Sequence, residues 1–240
     1  MARMIIFDGI SLNSIADVKV KDVQVYPIEY DETTRPRAIR GGSDFVRSRA
    51  GTRKVVITFG LLDDNDINRQ ASLLAVSQWA KNDKEYKLEL PGHPDHYLMA
   101  TCTDKPEPSL RQWWESKLRL IFTCYENPYW NAKYEKSASC GSQFTVFGDA
   151  PPLMRIERTV SGSAASNQSY ALDGRTITLS TIPVGTMMID MDNQLISSVN
   201  GSTVTDLMQY YNVNSKFLIP RTGTQTITGT GTVKYRERWQ

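Results

Sequence analysis

Apolar residues recur at every second position along most of this chain of 240 residues. The stretch KVVITFG places Val55, Ile57 and Phe59 on one side of an extended backbone, and SKLRLIFTCY alternates in the same way. Because side chains of a β-strand point alternately to opposite faces, this period predicts half-buried strands in antiparallel sheets. The segments YKLELP and HYLMATCTD repeat the pattern. A mainly β fold is therefore expected.

One segment departs from this period and predicts a helix. It reads LLDDNDINRQASLLAVSQWAK, with Ile67, Ala71 and Leu74 spaced at i, i+4 and i+7. Leu73, Val76 and Ala80 widen this apolar stripe. That spacing predicts an amphipathic helix whose apolar stripe packs against a sheet. The acidic residues before the stripe are candidates for the N-terminal cap: Asp63, Asp64 and Asp66.

The composition changes after Trp130, which predicts two domains. Residues 1–130 form the first, and residues 131–150, with small residues leading to a Pro-Pro pair, are expected to be a connection. In residues 151–240, short strands alternate with turn signals such as Asp173-Gly174 and Asn200-Gly201. This second domain is expected to be a β-sandwich.

A basic run interrupts an otherwise balanced charge. Between Arg35 and Lys54 there are seven basic residues and one acid, Asp44, so the local net charge is 7 − 1 = +6, whereas the whole chain carries +2. Basic runs often bind phosphate, but a chain devoted to nucleic acid is usually far more basic overall. Sequence-specific nucleic-acid binding is therefore not expected.

Three groups of residues could carry chemistry, and each also has a structural interpretation. His93 and His96 in HPDH could bind a metal or form a polar turn between strands. Three carboxylates could act as a catalytic pair or hold turns: Asp190, Asp192 and Asp206. Five aromatic residues could stack on sugars or pack in a core: Tyr170, Tyr210, Tyr211, Tyr235 and Trp239. The structural interpretation is favoured each time, so no enzyme activity, metal or cofactor is expected.

Neither a membrane span nor a disulfide framework is expected. The longest apolar run near the start, Met4 to Phe7, is far too short for a signal peptide or a membrane helix. Three widely spaced cysteines fit a chain that folds in a cytoplasm, and Cys102 and Cys124 lie in strand-like runs where they act as small buried apolar residues.

The order of these segments resembles the distal tail proteins of long, flexible-tailed bacteriophages, the siphophages. In the first half the resemblance is carried by MIIFDGISLN, IRGGSDF, RKVVITF, the helix end QWAK, YKLELPGHPDHYLMA and KLRLIFTCYENPYW. In the second half it is carried by TMMIDMDNQ, KFLIPRTGTQTITG and VKYRERW. It covers nearly the whole chain, although residues 131–150 match no family pattern.

The resemblance implies an architecture and a set of partners. The first domain would be a ring-forming belt domain, a tail-tube-like β-sandwich with one helix and an extended hairpin, and the second a galectin-like β-sandwich. Six copies would form a hexameric ring at the virion tail tip, after assembly in the host cytoplasm. The ring would join the major tail (tube) protein to a tail-associated lysin or fibre-type protein and, in some phages, to receptor-binding proteins.

Within that architecture, the basic run falls in the extended hairpin or in the loop before the strand Val55 to Phe59. Four arginines could contact the neighbouring copy, line the lumen of the ring, or lie in a solvated loop: Arg37, Arg40, Arg47 and Arg49. Subunit contact is the favoured interpretation. An alternative function for the whole chain is recognition of host-surface glycans through the C-terminal β-sandwich.

Overall fold

The structure, a computed structural model, describes residues 4–36, 43–63, 65–104 and 118–240. The chain divides into two compact units, residues 1–130 together with Gln240 and residues 131–239. Both units are built from antiparallel strands, so the prediction of a mainly β fold is confirmed. In the part of the chain that is described, no helix is long and apolar enough to cross a membrane.

The elements of the first unit follow in chain order. They are β1 Ile6–Phe7, β2 Ile10–Ser11, α1 Leu12–Ile15, β3 Val18–Val25, β4 Tyr30–Pro36, β5 Ser43–Ala50, β6 Arg53–Leu61, α2 Asp66–Trp79, β7 Tyr86–Glu89, β8 His96–Asp104 and β9 Leu118–Cys124. Strand β10, Trp130–Ala132, follows at the boundary between the units.

The first unit is organised around a sheet in the order β3-β6-β9-β8-β7-β1-β2. Strand β6 lies between β3 and β9, and its residues Val55, Ile57 and Phe59 are fully buried. Cross-strand neighbours on β9, Leu120 and Phe122, are buried opposite them. Each such side chain contributes about 1.5–3 kcal/mol when it leaves water, so the alternating residues form the core of this unit.

Helix α2 forms where the sequence predicts it, but it packs through only one side of the predicted stripe. Leu73, Val76 and Ala80 of that stripe are buried, whereas Ile67 is 81% exposed and Leu74 is 52% exposed. Of the predicted acids, Asp66 lies in the first turn, where its charge favours the helix dipole, and Asp64 lies outside the described residues, but the cap itself is a different residue. The Asn65 side chain caps the helix by accepting a hydrogen bond from the backbone N–H of Asn68 at 2.8 Å.

The packing of Trp79, at the end of α2, determines which face of the helix is buried. The Trp79 ring packs edge-on against Phe7 and Phe122, with centroids 5.7 and 6.3 Å apart, and its Nε1–H donates to the Ile10 carbonyl at 3.1 Å. Once this ring is fixed, the face with Leu73 and Val76 must turn inward. The four-residue helix α1 precedes β3 and adds a second helix to the one that was predicted.

The second unit continues with strands and one short helical turn. They are β11 Lys136–Ser139, β12 Gln143–Val146, β13 Ala150–Val160, β14 Ala165–Leu172, β15 Arg175–Ile182, β16 Gly185–Asp190, β17 Leu195–Asn200, β18 Thr203–Asp206, a 3₁₀ turn at Met208–Tyr210, β19 Gly223–Thr226 and β20 Thr232–Trp239.

These strands form a β-sandwich. One layer has the order β18-β17-β16-β13-β20-β11, and the other contains the pairs β12–β19 and β14–β15. Single bridges from Ala171 to Thr228 and from Leu179 to Tyr211 join strands to loops. Side chains from both layers share one buried cluster that includes Ile156, Ile189 and Tyr170.

Residues 131–150 are not a connection. They lie in the second unit and contain β11 and β12. Strand β11 pairs with β20, and Phe144 and Val146 of β12 belong to the buried cluster. The small residues that suggested a linker, such as Ala138 and Cys140, pack against that cluster.

Candidate functional site

The basic run contributes most of a β-hairpin. Strands β4 and β5 pair antiparallel with each other and form a two-stranded sheet of their own. A seven-residue strand such as β4 spans about 23 Å. An isolated two-stranded hairpin is only marginally stable in water, so this hairpin is a natural candidate for contact with another molecule.

Close contacts hold the base of the hairpin in place. The backbone N–H of Gly51 donates to the Glu29 carbonyl, and that of Glu29 donates to the Thr52 carbonyl, both at 2.8 Å. A Cβ at Gly51 would lie 2.9 Å from the Glu29 oxygen, so glycine permits this approach. The Glu29 carboxylate accepts from Lys54 Nζ at 3.2 Å and from Thr52 Oγ1 at 3.1 Å. Both hydrogen bonds lower the pKa of the Glu29 carboxyl, and that from Lys54 has the larger effect.

Charge is distributed unevenly along the hairpin. Its base carries the acids Glu29, Asp31 and Glu32, whereas Arg35 and Arg47 lie farther along the two strands. In the β4–β5 register, Arg49 lies opposite Asp31, but Arg47 lies opposite Thr33. The charge at position 49 is therefore partly balanced across the strands, and the charge at position 47 has no acid opposite it.

The structure describes the four predicted arginines to different degrees. Arg49 is exposed on β5. The backbone of Arg47 lies in the same strand. Arg37 and Arg40 lie outside the described residues. The hairpin therefore brings positions 47 and 49 onto one strand, and the assignment of all four to a contact stays a prediction.

The last two basic residues of the run leave the hairpin. Arg53, at 3% exposed, is buried at the start of β6, on the same side as Val55 and Ile57, and Lys54 pairs with Glu29. Sequence reasoning counted both with the exposed charges. The alternation of the strand could have distinguished Arg53 from the exposed arginines, because Arg53 stands two residues before Val55 and so lies on the same side of β6.

The HPDH segment forms a turn between β7 and β8. The backbone N–H of His93 donates to the Leu90 carbonyl at 3.0 Å, and that of His96 donates to the His93 carbonyl at 3.1 Å. The His93 ring lies 4.2 Å from the Trp130 ring, and partial burial there lowers the pKa of His93, with smaller contributions from His96 and Arg53. Among the described residues, no group of three His, Cys, Asp or Glu could hold a metal ion.

Two of the three carboxylates of the second unit, those of Asp190 and Asp206, bond to the backbone of turns, whereas Asp192 Oδ1 lies 3.8 Å from Nη2 of Arg238. Asp190 Oδ1 accepts from the N–H groups of Asp192 and Asn193, both at 3.0 Å, and its Oδ2 accepts from Asn193 Nδ2 at 2.9 Å. Asp206 Oδ1 accepts from the Met208 N–H at 2.8 Å. The geometry of these groups is that of turn stabilisation.

The aromatic residues that suggested sugar stacking lie in or against the core. Tyr170 is fully buried, with its hydroxyl donating to the Thr230 carbonyl at 3.0 Å, and Tyr235 is 6% exposed. Tyr210 and Tyr211 pack against the buried cluster, and Trp239 is half-buried. Sequence reasoning missed the strongly exposed aromatic residues of this unit, Tyr134 and Phe147.

Similarity to solved structures gives the fold a precedent. The structure of the SPP1 Dit protein matches with a TM-score of 0.77 and 14% identity over 100% of both chains. The chain has the Dit fold. Two structures of the phage P2 baseplate in its activated conformation, with Ca and with Sr, match with TM-scores of 0.55 and 0.52, each at 9% identity. They cover 100% and 98% of this chain, and 99% and 97% of their own.

No protein-family model matches the sequence, and no curated protein is significantly similar to it. Because the match to SPP1 Dit covers the whole of both chains, both units of this chain have counterparts in that protein.

Proposed function

We propose that this chain is a structural hub at the distal tail tip of a long, flexible-tailed bacteriophage, where six copies close into a ring. The observation that carries the proposal is the full-length match to SPP1 Dit, which is described as a paradigm of the hub adsorption apparatus in phages that infect Gram-positive bacteria. The matches to phage P2 baseplates support the same role.

In this proposal the ring joins the major tail tube protein to a tail-associated lysin or fibre-type protein, and to receptor-binding proteins where a phage has them. The chain acts in the virion after assembly in the host cytoplasm, without enzymatic activity. The turn-forming roles of Asp190, Asp206 and the His93–His96 segment support a structural function.

The two units take separate roles in the proposed ring. The first is the belt domain, which closes the ring, and the second is a galectin-like domain. We place their boundary between Trp130 and Asn131, where the two compact units meet in sequence. In this proposal residues 131–150 belong to the second domain and do not form a linker between the domains.

The hairpin β4–β5 supplies a contact between neighbouring copies. A ring requires a heterologous interface, in which one surface of each copy meets a different surface of the next. The hairpin forms a separate two-stranded sheet with a basic excess toward its turn, so a neighbouring surface that covers it and supplies acids stabilises both partners.

Removal of the arginines tests this contact. We expect the variant with Arg37→Ser, Arg40→Ser, Arg47→Ser and Arg49→Ser to fold normally but to assemble at least about tenfold more weakly, since an exposed ion pair contributes up to about 1 kcal/mol and several repeat at each interface. Sedimentation velocity over a concentration series measures the change. Assembly of the wild type should also weaken as salt rises.

The control removes exposed charges from the second unit, through Lys216→Ser with Arg221→Ser. This variant should assemble like the wild type. If the arginine variant also assembles like the wild type at every salt concentration, the hairpin does not hold the ring together, and its arginines line the lumen or lie in solvent.

A further inference from the structure

The outward face of helix α2 is unusually apolar. Ile67 and Leu74 are 81% and 52% exposed, Ala71 lies between them on the same face, and Leu62 just before the helix is 50% exposed. Residues at i, i+4 and i+7 form a continuous stripe on a helix. We call Ile67, Ala71 and Leu74 the α2 outer face. Contiguous exposed apolar surface of this kind marks interaction sites.

Acidic residues lie at the N-terminal end of the α2 outer face. The sequence there reads Asp63-Asp64-Asn65-Asp66. The Asp66 side chain is 64% exposed, and its ion pair with Arg69 is long, at 3.7 Å. An exposed pair of that length is weak, so the Asp66 carboxylate can accept hydrogen bonds from an incoming cation.

The hairpin has the complementary composition. Its strand β5 carries two apolar residues followed by two arginines in the order Phe45, Val46, Arg47 and Arg49, with Ser48 between the arginines. An apolar helix face with acids at one end matches an apolar and basic strand in both respects. Guanidinium groups bond carboxylates through two parallel hydrogen bonds, which also fixes the orientation of the contact.

We infer that the α2 outer face is the surface on which the β4–β5 hairpin of a neighbouring copy docks. The inference rests on the proposed ring, and it names the surface that receives the hairpin. Ile67 and Leu74 bury their side chains against the strand, and the acids at the start of α2 pair with its arginines. Both halves of the contact belong to one chain, so repetition of the contact builds a ring when the rotation between neighbouring copies closes.

The first test removes the apolar contact without touching the hairpin. The variant with Ile67→Ser and Leu74→Ser should assemble at least about tenfold more weakly in sedimentation velocity, because two side chains lose their burial. Val213, which is 95% exposed in the second unit, provides the matched control as Val213→Ser and should assemble normally. Thermal unfolding of both variants checks that the fold is intact.

The second test asks whether the hairpin is the occupant. Asp66→Lys alone and Arg47→Glu with Arg49→Glu alone should each weaken assembly, whereas the combination of all three should restore it. In a variant with Arg47→Lys and Arg49→Lys, a carbodiimide should join position 47 or 49 to the carboxylate of Asp63 or Asp66. Mixing with isotopically heavy chains shows by mass spectrometry that the link joins two copies.

The outcomes separate the inference from the proposed function. Normal assembly of the Ile67→Ser, Leu74→Ser variant overturns the docking site while leaving the ring intact. Loss of assembly in that variant, without charge restoration and without the crosslink, shows that the α2 outer face meets a different surface and also overturns the inference. A wild type that stays monomeric at every concentration overturns both.

Discussion

At the scale of single residues, burial controls the chemistry of Cys124. It lies at the end of β9 opposite Arg53, is fully buried, and its pKa is raised to about 12, mainly by that burial and further by Glu85. The thiolate is the reactive form of cysteine. At pH 8 we therefore expect iodoacetamide to modify Cys102, which is half-buried, and to leave Cys124 unmodified until the chain unfolds. Equal labelling rates in the native protein would contradict this.

The same thiol makes stability depend on alkaline pH. In the unfolded chain a cysteine loses its proton near pH 8.5, whereas folded Cys124 keeps its proton until about pH 12. Between these values the folded state binds more protons, so the free energy of unfolding falls as pH rises, by at most about 1.4 kcal/mol per pH unit. Urea unfolding from pH 8 to 11 should show a shallower decline for Cys124→Ala than for the wild type. Parallel declines would refute this role for the thiol.

Gly229 is required by its contact with a buried tyrosine. Its φ is +129°, and a Cβ there would lie 2.5 Å from Cδ1 of Tyr170. We expect Gly229→Ala to lower the free energy of unfolding by about 1–3 kcal/mol for the displaced ring, in addition to the cost of a positive φ. Gly162→Ala, at φ +80° with nothing within 4 Å, isolates the backbone cost. Equal losses in urea unfolding of the two variants would show that Tyr170 moves aside freely.

Single residues also show where sequence reasoning succeeds. Alternation correctly placed Val55, Ile57 and Phe59 in the core. The same alternation, extended two residues before Val55, also places Arg53 on the buried side of the strand. The seven basic residues were grouped by charge, and charge says nothing about which side of a strand a residue occupies. For predicting burial in this strand, the position of a residue in the alternation was more informative than its charge.

At the scale of elements, α2 shows the limit of periodicity. The predicted stripe is wide enough to include Ile67 and Leu74 as well as Leu73 and Val76, so spacing alone could not tell which side of the stripe is buried. The choice depends on Trp79, whose ring rests on Phe7 and Phe122. Those partners are remote in sequence, and the contact could not be read from the helix segment.

Substitution of two adjacent leucines tests which side of α2 faces the core. Leu73→Ala should lower the free energy of unfolding by about 2–5 kcal/mol, because Leu73 is 2% exposed and its loss leaves a cavity. Leu74→Ala is the same chemical change one residue later, and it should cost no more than about 0.5 kcal/mol, because Leu74 is 52% exposed. Thermal or urea unfolding of the two variants is sufficient. A larger loss for Leu74→Ala would mean that the helix packs through the side that carries Ile67 and Leu74.

Strands β11 and β12 were missed for a related reason. Lys136 pairs with Tyr235, and Gln143 pairs with Thr226, so each strand is completed by a partner late in the chain. Taken alone, the small polar residues of β11 and β12 resemble a linker. Their pairing with β20 and β19, which lie far away in sequence, makes them strands. The hairpins within the second unit were readable because their turn signals lie between adjacent strands, as at Asp173-Gly174 between β14 and β15.

At the scale of the whole molecule, the second unit contains its own core. Its buried cluster is drawn from residues 144–235, within the second unit. We therefore expect a chain of residues 131–239 to fold by itself, with a β-type circular dichroism spectrum and one cooperative thermal transition. The matched control starts at residue 151, which removes β11 and β12 and should unfold at a lower temperature. A broad, non-cooperative transition of the longer chain would show that the unit depends on the rest of the protein.

Electron microscopy of the purified protein tests whether copies of this chain close into the proposed ring. We expect closed rings with sixfold symmetry, in a fraction that grows with protein concentration and shrinks as salt rises. Class averages that contain only monomers across the accessible concentrations, or open filaments in place of closed rings, would contradict it.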